Sequence, residues 1–150
     1  MQFDDSYPKE NQPIIKTIIV ENVINAPIEK VWEMWTEPKH IVNWYYAIDD
    51  WEAPYAENNL LVGGKFKTVM SAKDKSSRFD FTGVYTNLKK HELIEFNIDD
   101  SRHVRIEFTK LQNGIKVTEI FEPEKVYSEE LQRTGWQAIL DNFKKYVENN

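Results

Sequence analysis

The sequence has no cysteine and no long apolar run, and each absence excludes a class of protein. Without cysteine the chain forms no disulfide bond and offers no thiolate to a metal ion. No apolar stretch approaches the 18 residues of a membrane-spanning helix, so we expect no insertion into a membrane. Basic residues are the minority, 19 against 25 acidic ones, which gives a net charge of −6. Nucleic acids and anionic membranes attract basic surfaces, so neither is expected as a partner.

Length and composition predict one cytoplasmic domain that spans residues 1–150. A chain of 150 residues is typical of a single domain, and 41% hydrophobic with 29% charged residues is an ordinary globular balance. The first segment, MQFDDSYPKENQP, is acidic and polar, unlike a secretory signal. We therefore expect a cytoplasmic protein whose residues 1–12 are frayed.

Aromatic residues, by contrast, are abundant and make up 13% of the chain. Four of the five tryptophans fall within twenty residues: Trp32, Trp35, Trp44 and Trp51. Two interpretations remain open for this cluster. The rings form a bulky core, or they form an aromatic wall around a ligand, because ligand sites are mostly apolar with few polar groups.

The hydrophobic pattern predicts a strand, two short helices, an antiparallel meander and a long final helix. The alternating run PIIKTIIVENVI indicates the first strand. Asn25 is expected to be the N-cap of the helix that follows, and Pro27 fits its first turn. Pro38 ends this helix and begins a second short one. Short polar connectors join the later strands, and Asn113-Gly114 is typical of a two-residue hairpin turn. Short connectors require antiparallel pairing, so the pattern predicts an α+β domain in which the last helix covers a curved sheet.

Motifs for phosphate binding, metal binding and nucleophilic catalysis are absent from the sequence. Gly63 and Gly64 precede an alternating strand pattern instead of the helix that a phosphate loop requires, so they predict a turn or bulge. His40, His91 and His103 show no metal-binding spacing, and no serine lies in a GxSxG context. We therefore expect no metal ion and no cofactor.

One glycine interrupts the predicted C-terminal helix on the side that faces the sheet. An advance of about 100° per residue places Gly135 at the edge of the apolar arc around Trp136 and Ile139, with Gln132 inside it. Glycine in a helix interior costs about 1 kcal/mol relative to alanine, and an unpaired buried amide costs about 1–3 kcal/mol. Either Gly135 allows close packing and Gln132 bonds a backbone group, or the pair opens a cavity that contains one hydrogen-bonding group.

Glu119 is the candidate for chemistry inside such a cavity. It shares a strand face with Val117 and Phe121 in the run IKVTEIFE. A carboxyl group buried there would have a raised pKa and could act as an acid or base, with Arg78 or Arg105 offsetting its charge. A register shift of one residue would instead expose Glu119 to water.

The ordered set of motifs resembles the activator of heat-shock-protein ATPase homologue family of the START-like, birch-pollen-allergen-like (SRPBCC) superfamily. The segments that carry the resemblance are NAPIEKVWEMWTEPKHIVNWY, LLVGGKFKTVM, FTGVY, LIEF and GWQAILDNFKKYVE, and it covers about residues 14–148. It implies a helix-grip fold, with a seven-stranded antiparallel sheet around the long C-terminal helix and two short helices that close one end. It also implies an internal cavity, which in relatives takes lipids, sterols, polyketides or other hydrophobic molecules.

Binding of a small hydrophobic molecule between sheet and helix is the preferred function. The alternatives are a cyclase- or hydrolase-type enzyme with Glu119 as base, and a co-chaperone-type protein that stimulates a chaperone ATPase from an exposed face. A second copy of the chain is a further candidate partner. We expect the loop around Trp51 to gate the cavity, and Gln132 and Tyr85 to orient a polar end of the ligand. The candidate ligand-binding residues are Trp32, Trp35, Trp44, Trp51, Met70, Phe81, Tyr85, Phe96, Gln132, Trp136 and Ile139.

Overall fold

The computed structural model describes residues 16–99 and 101–150, which form one curved sheet and three helices. The chain begins with strand β1 (Ile18–Ile24), helix α1 (Ile28–Thr36) and helix α2 (Pro38–Ile41). The remaining elements are β2 (Trp51–Asn58), β3 (Lys65–Ala72), β4 (Arg78–Lys89), β5 (Leu93–Ile98), β6 (His103–Leu111), β7 (Gly114–Phe121) and α3 (Glu129–Glu148). None of the helices in these two ranges is long and apolar enough to cross a membrane.

The seven strands form one antiparallel sheet in the order β1-β7-β6-β5-β4-β3-β2. Strands β2 to β7 follow one another as a meander, and β1 pairs with β7 at the far edge. The register shifts between Glu52 and Tyr55 and between Tyr85 and Asn87, and such irregularities bend a sheet. The predicted α+β helix-grip fold, with two short helices after the first strand, is confirmed.

Helix α3 packs into the core along its C-terminal half, whereas its N-terminal half is more exposed. The Ser128 side chain caps its start, because Oγ accepts a hydrogen bond of 3.1 Å from the Leu131 backbone N–H. Leu140, Phe143 and Val147 are fully buried. Residues 133–139, one to two turns earlier, are exposed or half-buried. The N-terminal half of α3 therefore lies over the part of the sheet that is not filled.

Two of the clustered tryptophans belong to the solid core. Trp44 is 1% exposed, and its ring centroid lies 5.0 Å from that of Trp35 and 4.7 Å from that of Phe143. Its indole N–H donates a hydrogen bond of 3.0 Å to the Met34 carbonyl, which satisfies the polar atom of a buried ring. For this pair of rings the core interpretation is therefore the correct one.

Glycines shape both predicted turns, but the second turn lies one residue earlier than the sequence predicts. Gly63 has a left-handed φ of +85°, and β3 begins directly after Gly64, so the pair forms a turn. Leu111 pairs with Gly114, so the two-residue loop of the β6–β7 hairpin is Gln112-Asn113, and the prediction of an Asn113-Gly114 turn is wrong by one residue. Gly114 begins β7 with a φ of +145°, and a Cβ there would collide with the Ile24 carbonyl. The β6–β7 hairpin is therefore packed tightly against the end of β1.

The start of α1 differs from the prediction. Pro27 is the N-cap and no side chain caps the helix, so the assignment of Asn25 as the cap is wrong. The Asn25 backbone N–H instead donates a hydrogen bond of 2.8 Å to the Glu148 carboxylate at the end of α3. The predicted frayed segment 1–12 and the first residues of the predicted strand lie outside the described residues.

Candidate functional site

A cavity of about 270 Å³ lies between the N-terminal half of α3 and the concave face of the sheet. It is partly open to solvent, and three exposed apolar side chains, Phe79, Tyr127 and Leu131, form its rim. An apolar cavity of about 150 Å³ is enough to bind benzene, so this volume suits a small organic molecule. The lining residues are Tyr45, Ala47, Met70, Phe79, Phe81, Glu119, Tyr127, Leu131, Gln132, Gly135, Trp136 and Ile139.

Gly135 keeps the cavity open. A Cβ placed on Gly135 would meet no atom within 4 Å, so the glycine does not serve close packing against a strand. The neighbouring Trp136 stacks on Phe121, with 3.8 Å between ring centroids and an interplanar angle of 9°. The large ring thus lies against β7 as a wall, and the space beside it stays empty because residue 135 has no side chain.

Gln132 lines the cavity, but its amide is engaged by the backbone. Its Nε2 donates hydrogen bonds to the carbonyls of Glu124 at 3.0 Å and Tyr127 at 2.9 Å. Its Oε1 accepts a hydrogen bond of 2.9 Å from the Glu124 N–H. Gln132 therefore stabilises the segment between β7 and α3, which includes Tyr127 at the rim of the cavity. The sequence analysis considered Gly135 and Gln132 together, but the two residues have different roles. Gly135 opens the cavity, and Gln132 forms hydrogen bonds with the backbone.

Glu119 lies on the concave face of the sheet and borders the cavity. It is 5% exposed, and its cross-strand neighbours are Val20 of β1 and Ile106 of β6, both buried and apolar. Among residues 16–99 and 101–150, none donates a hydrogen bond to its carboxyl group or forms an ion pair with it. Burial raises the pKa of Glu119 to about 8. The cavity therefore contains a carboxyl group whose pKa lies close to neutral pH.

The arginines considered as partners of Glu119 lie elsewhere. Arg105 is on the opposite face of β6 and forms ion pairs with Glu95 at 3.1 Å and with Glu107 at 2.7 Å. Arg78 is exposed and does not line the cavity. Neither side chain offsets the charge of Glu119, and the expectation that one of them would is wrong.

Tyr45 is the second polar group of the cavity without a hydrogen-bond partner among the described residues. It follows α2, and its ring stacks on Phe81, with 5.9 Å between centroids and an interplanar angle of 28°. Burial, and then the charge of Glu119, raise the pKa of Tyr45 well above its ordinary value. The hydroxyl group of Tyr45 therefore lies close enough to Glu119 for a charge on that carboxyl group to disfavour loss of the hydroxyl proton.

Five of the eleven ligand-binding residues proposed from the sequence line this cavity, namely Met70, Phe81, Gln132, Trp136 and Ile139. A separate void of about 40 Å³ is bordered by four others: Trp35, Trp44, Tyr85 and Phe96. That void has room for about one water molecule. The Tyr85 hydroxyl donates a hydrogen bond of 2.6 Å to Asn58 Oδ1, so it is engaged within the protein.

Trp32 and Trp51 line neither space. Trp32 packs edge-on against Phe108, with 5.3 Å between centroids, and borders a polar surface groove. Trp51 begins β2, and its ring lies 5.8 Å from that of Phe79, which is at the cavity rim. Trp51 therefore contacts the rim from outside.

Five lining residues were missed by sequence reasoning: Tyr45, Ala47, Phe79, Tyr127 and Leu131. Phe79 could have been found, because it alternates with Phe81 along one face of β4. Tyr127 and Leu131 had no such signal. They flank the start of α3 outside its apolar arc, and only the folded chain places them at the mouth of the cavity.

Glu33, Glu37 and His40 are a group of described residues that could hold a metal ion, with ligand atoms within 4.8 Å of one another. His40 Nδ1 forms a hydrogen bond of 2.7 Å with the Tyr146 hydroxyl, and Nε2 lies 3.4 Å from Glu33 and 3.7 Å from Glu37. The bend between α1 and α2 brings the three together, which a search for spacing within one helix does not detect. Both carboxylates are substantially exposed, as surface ion pairs commonly are.

Comparison with known proteins identifies relatives over most of the chain. The family model described as Activator of Hsp90 ATPase homolog 1-like protein matches residues 25–148. The solution structure of the AHSA1-like protein from Aeromonas hydrophila is 40% identical, with a TM-score of 0.85 over 89% of this chain and 93% of that one. The solution structure of Chr148 from Cytophaga hutchinsonii is 50% identical, with a TM-score of 0.77 over the same shares. The crystal structure of CV1439 from Chromobacterium violaceum, 23% identical, has the same fold, with a TM-score of 0.80 over 90% of this chain and 99% of that one. No curated protein matches the sequence significantly.

Proposed function

The chain belongs to the Activator of Hsp90 ATPase homolog 1-like family, and on that premise we propose that it binds a small, largely apolar molecule in the cavity beneath Gly135. The observation that carries the proposal is the open space in front of the missing side chain, where an added Cβ would meet no atom within 4 Å. Burial of each ligand CH₂ group in such a space contributes about 0.8 kcal/mol. The apolar rim gives the ligand a route from solvent to the cavity.

Stability alone does not account for glycine at this position. Alanine would fit without contact and would improve the helix by about 1 kcal/mol. The cavity also leaves Trp136 and Ile139 without neighbours on one side, which sacrifices dispersion contacts. A ligand that fills the space restores those contacts.

An acid–base enzyme is the second candidate, and Glu119 is the observation that favours it. A general acid or base is most effective when its pKa lies near the working pH, and burial raises the pKa of Glu119 to about 8. A substrate would have to occupy the same cavity before any proton transfer, so binding is the first step for either candidate.

A chaperone partner is the third candidate, and it follows from the family description, which names activation of the Hsp90 ATPase. The cavity, by contrast, is a feature of this chain's own residues. For that reason ligand binding stands first.

Substitutions of Gly135 test the proposed binding. With phenylbutanol as probe and calorimetry as the measurement, we expect Gly135→Leu to weaken binding about tenfold or more, because the new side chain occupies the ligand's space. Gly135→Ala should raise the free energy of unfolding by about 1 kcal/mol and leave most of the space free.

The matched control is Thr134→Leu, which places the same side chain on the exposed side of α3 and should leave binding unchanged. Binding of phenylbutanol to Gly135→Leu with unaltered affinity would contradict the proposed site.

A further inference from the structure

We infer that the molecule bound in this cavity carries one basic nitrogen, which lies against the Glu119 carboxylate. This inference rests on the proposed function and specifies the ligand class for the same site. Its geometric basis is a buried carboxyl group that no residue in the described part of the chain satisfies.

Glu119 is isolated from hydrogen-bond donors in the described part of the chain. It is 5% exposed, and its register partners, Val20 and Ile106, offer it no polar atom. From α3, Gln132 approaches the cavity with its amide already committed to the backbone. The carboxyl group borders the cavity without a hydrogen-bond partner from the described residues, so a ligand atom that pairs with it gains an interaction that the empty protein lacks.

The residues around the cavity favour one sign of ligand charge. Nothing basic lines the cavity, whose titratable side chains are Glu119, Tyr45 and Tyr127. An acidic amphiphile such as a fatty acid would place its carboxylate against Glu119 without a counter-charge. A protonated amine forms a charge-assisted hydrogen bond with the same group. The arrangement therefore selects against anions and in favour of cations.

Aromatic rings form a wall of the cavity that contains the carboxyl group. Trp136, Phe81 and Tyr45 line the same cavity as the carboxyl group, and Phe81 contacts the rings of both of the others. Aromatic faces attract cations and bury apolar surface at once. A carboxylate within an aromatic cavity therefore suits an apolar molecule with a single cationic end.

The pH dependence of binding follows from the same group. Because burial raises the pKa of Glu119 to about 8, the carboxyl group of the empty protein must lose a proton before it pairs with an amine below that pH. Affinity for an alkylamine should rise about tenfold per pH unit up to about pH 8, then level off until the amine itself loses its proton near pH 10. The Tyr45 hydroxyl stays protonated over this range, because its pKa is raised well above its ordinary value.

Three probes with the same phenylbutyl body test the inference in the full chain at pH 8: phenylbutylamine, phenylbutanol and phenylbutanoate. We expect the affinity for the amine to be at least about tenfold higher than that for the alcohol. The carboxylate should bind most weakly of the three. Glu119→Gln should abolish the preference for the amine over the alcohol. Glu130→Gln, which removes an exposed charge from the first turn of α3, is the matched control and should retain this preference.

Each other outcome is decisive. Equal affinities for amine and alcohol, with both weakened by Gly135→Leu, would overturn the inference and leave the proposed function intact. Tightest binding of the carboxylate, or amine binding that weakens between pH 6 and 8, would also overturn it. Binding of none of the three probes at millimolar concentration would reject the proposed function together with the inference. The pH profile of the unmodified protein gives the answer even if Glu119→Gln does not fold.

Discussion

Substitution of Glu119 by glutamine is expected to change the pH dependence of stability more than any other single substitution at the site. In the folded protein, burial raises the pKa of Glu119 to about 8, whereas an unfolded glutamate titrates near its ordinary value of about 4.3. The folded state therefore favours the protonated form. The contribution of Glu119 to the free energy of unfolding is therefore fully present below about pH 4, and it is lost progressively as the pH rises to about 8.

The expected magnitude follows from about 1.4 kcal/mol per pH unit over this interval. The free energy of unfolding of Glu119→Gln, measured relative to the unmodified protein in urea, should increase by up to about 4 kcal/mol between pH 5 and pH 8. Other titrating groups cancel in this difference. Glu130→Gln, an exposed position, should show a flat difference. A flat difference for Glu119→Gln as well would show that the carboxyl group is solvated in the folded chain.

Removal of the Trp44 side chain is expected to lower the free energy of unfolding by about 3–5 kcal/mol. The ring is 1% exposed, packs against Trp35 and Phe143, and donates its N–H to the Met34 carbonyl. Trp44→Ala would leave a large void in the sealed part of the core and a carbonyl without its donor. Urea unfolding followed by circular dichroism measures the loss.

The matched variant is Trp51→Ala, which removes the same side chain from a half-buried position at the start of β2. We expect it to cost about 1 kcal/mol, since less apolar surface is lost. Comparable losses for the two variants would contradict the assignment of Trp44 to the core. The pair of variants therefore separates tryptophans that hold the fold from one that only contacts the rim of the cavity.

The order of strands and helices could be predicted because each element buries one face. Burial against a single core produces the alternation around Phe81 in β4. It also produces the helical spacing of Leu140, Phe143 and Val147 in α3. Asn113-Gly114 predicted the β6–β7 hairpin correctly, although its two-residue loop lies one residue earlier, at Gln112-Asn113. These local signals and the family resemblance agree, and together they specify the helix-grip fold.

The residues that line the site could be predicted only in part. Aromatic residues that are close in sequence can enter either the core or the cavity, and the sequence does not say which. Trp35 and Trp44 are close in sequence to Tyr45, yet both rings lie with Phe143 in the sealed core and only Tyr45 reaches the cavity. Trp44 and Tyr45 are adjacent residues after α2, and no periodicity in that segment predicts which of the two rings enters the core.

The orientation of Glu119 depended on pairing that a single strand cannot reveal. Alternation placed it with Val117 and Phe121, but a shift of one residue would have reversed the face. Pairing with β1 on one side and β6 on the other fixes the register and turns the carboxyl group inward. The sequence therefore identified Glu119 as a candidate, but only the strand pairing shows that its carboxyl group is buried.

The most direct test of the cavity is the position of a bound probe. In solution NMR of the full chain with phenylbutylamine, we expect intermolecular nuclear Overhauser effects between the probe's ring protons and the side chains of Met70, Trp136 and Ile139, which line the cavity beside Gly135. Contacts to Trp32 in its surface groove instead, or no contact to the three cavity side chains at saturating probe, would contradict the claim that this space is where the protein takes its ligand.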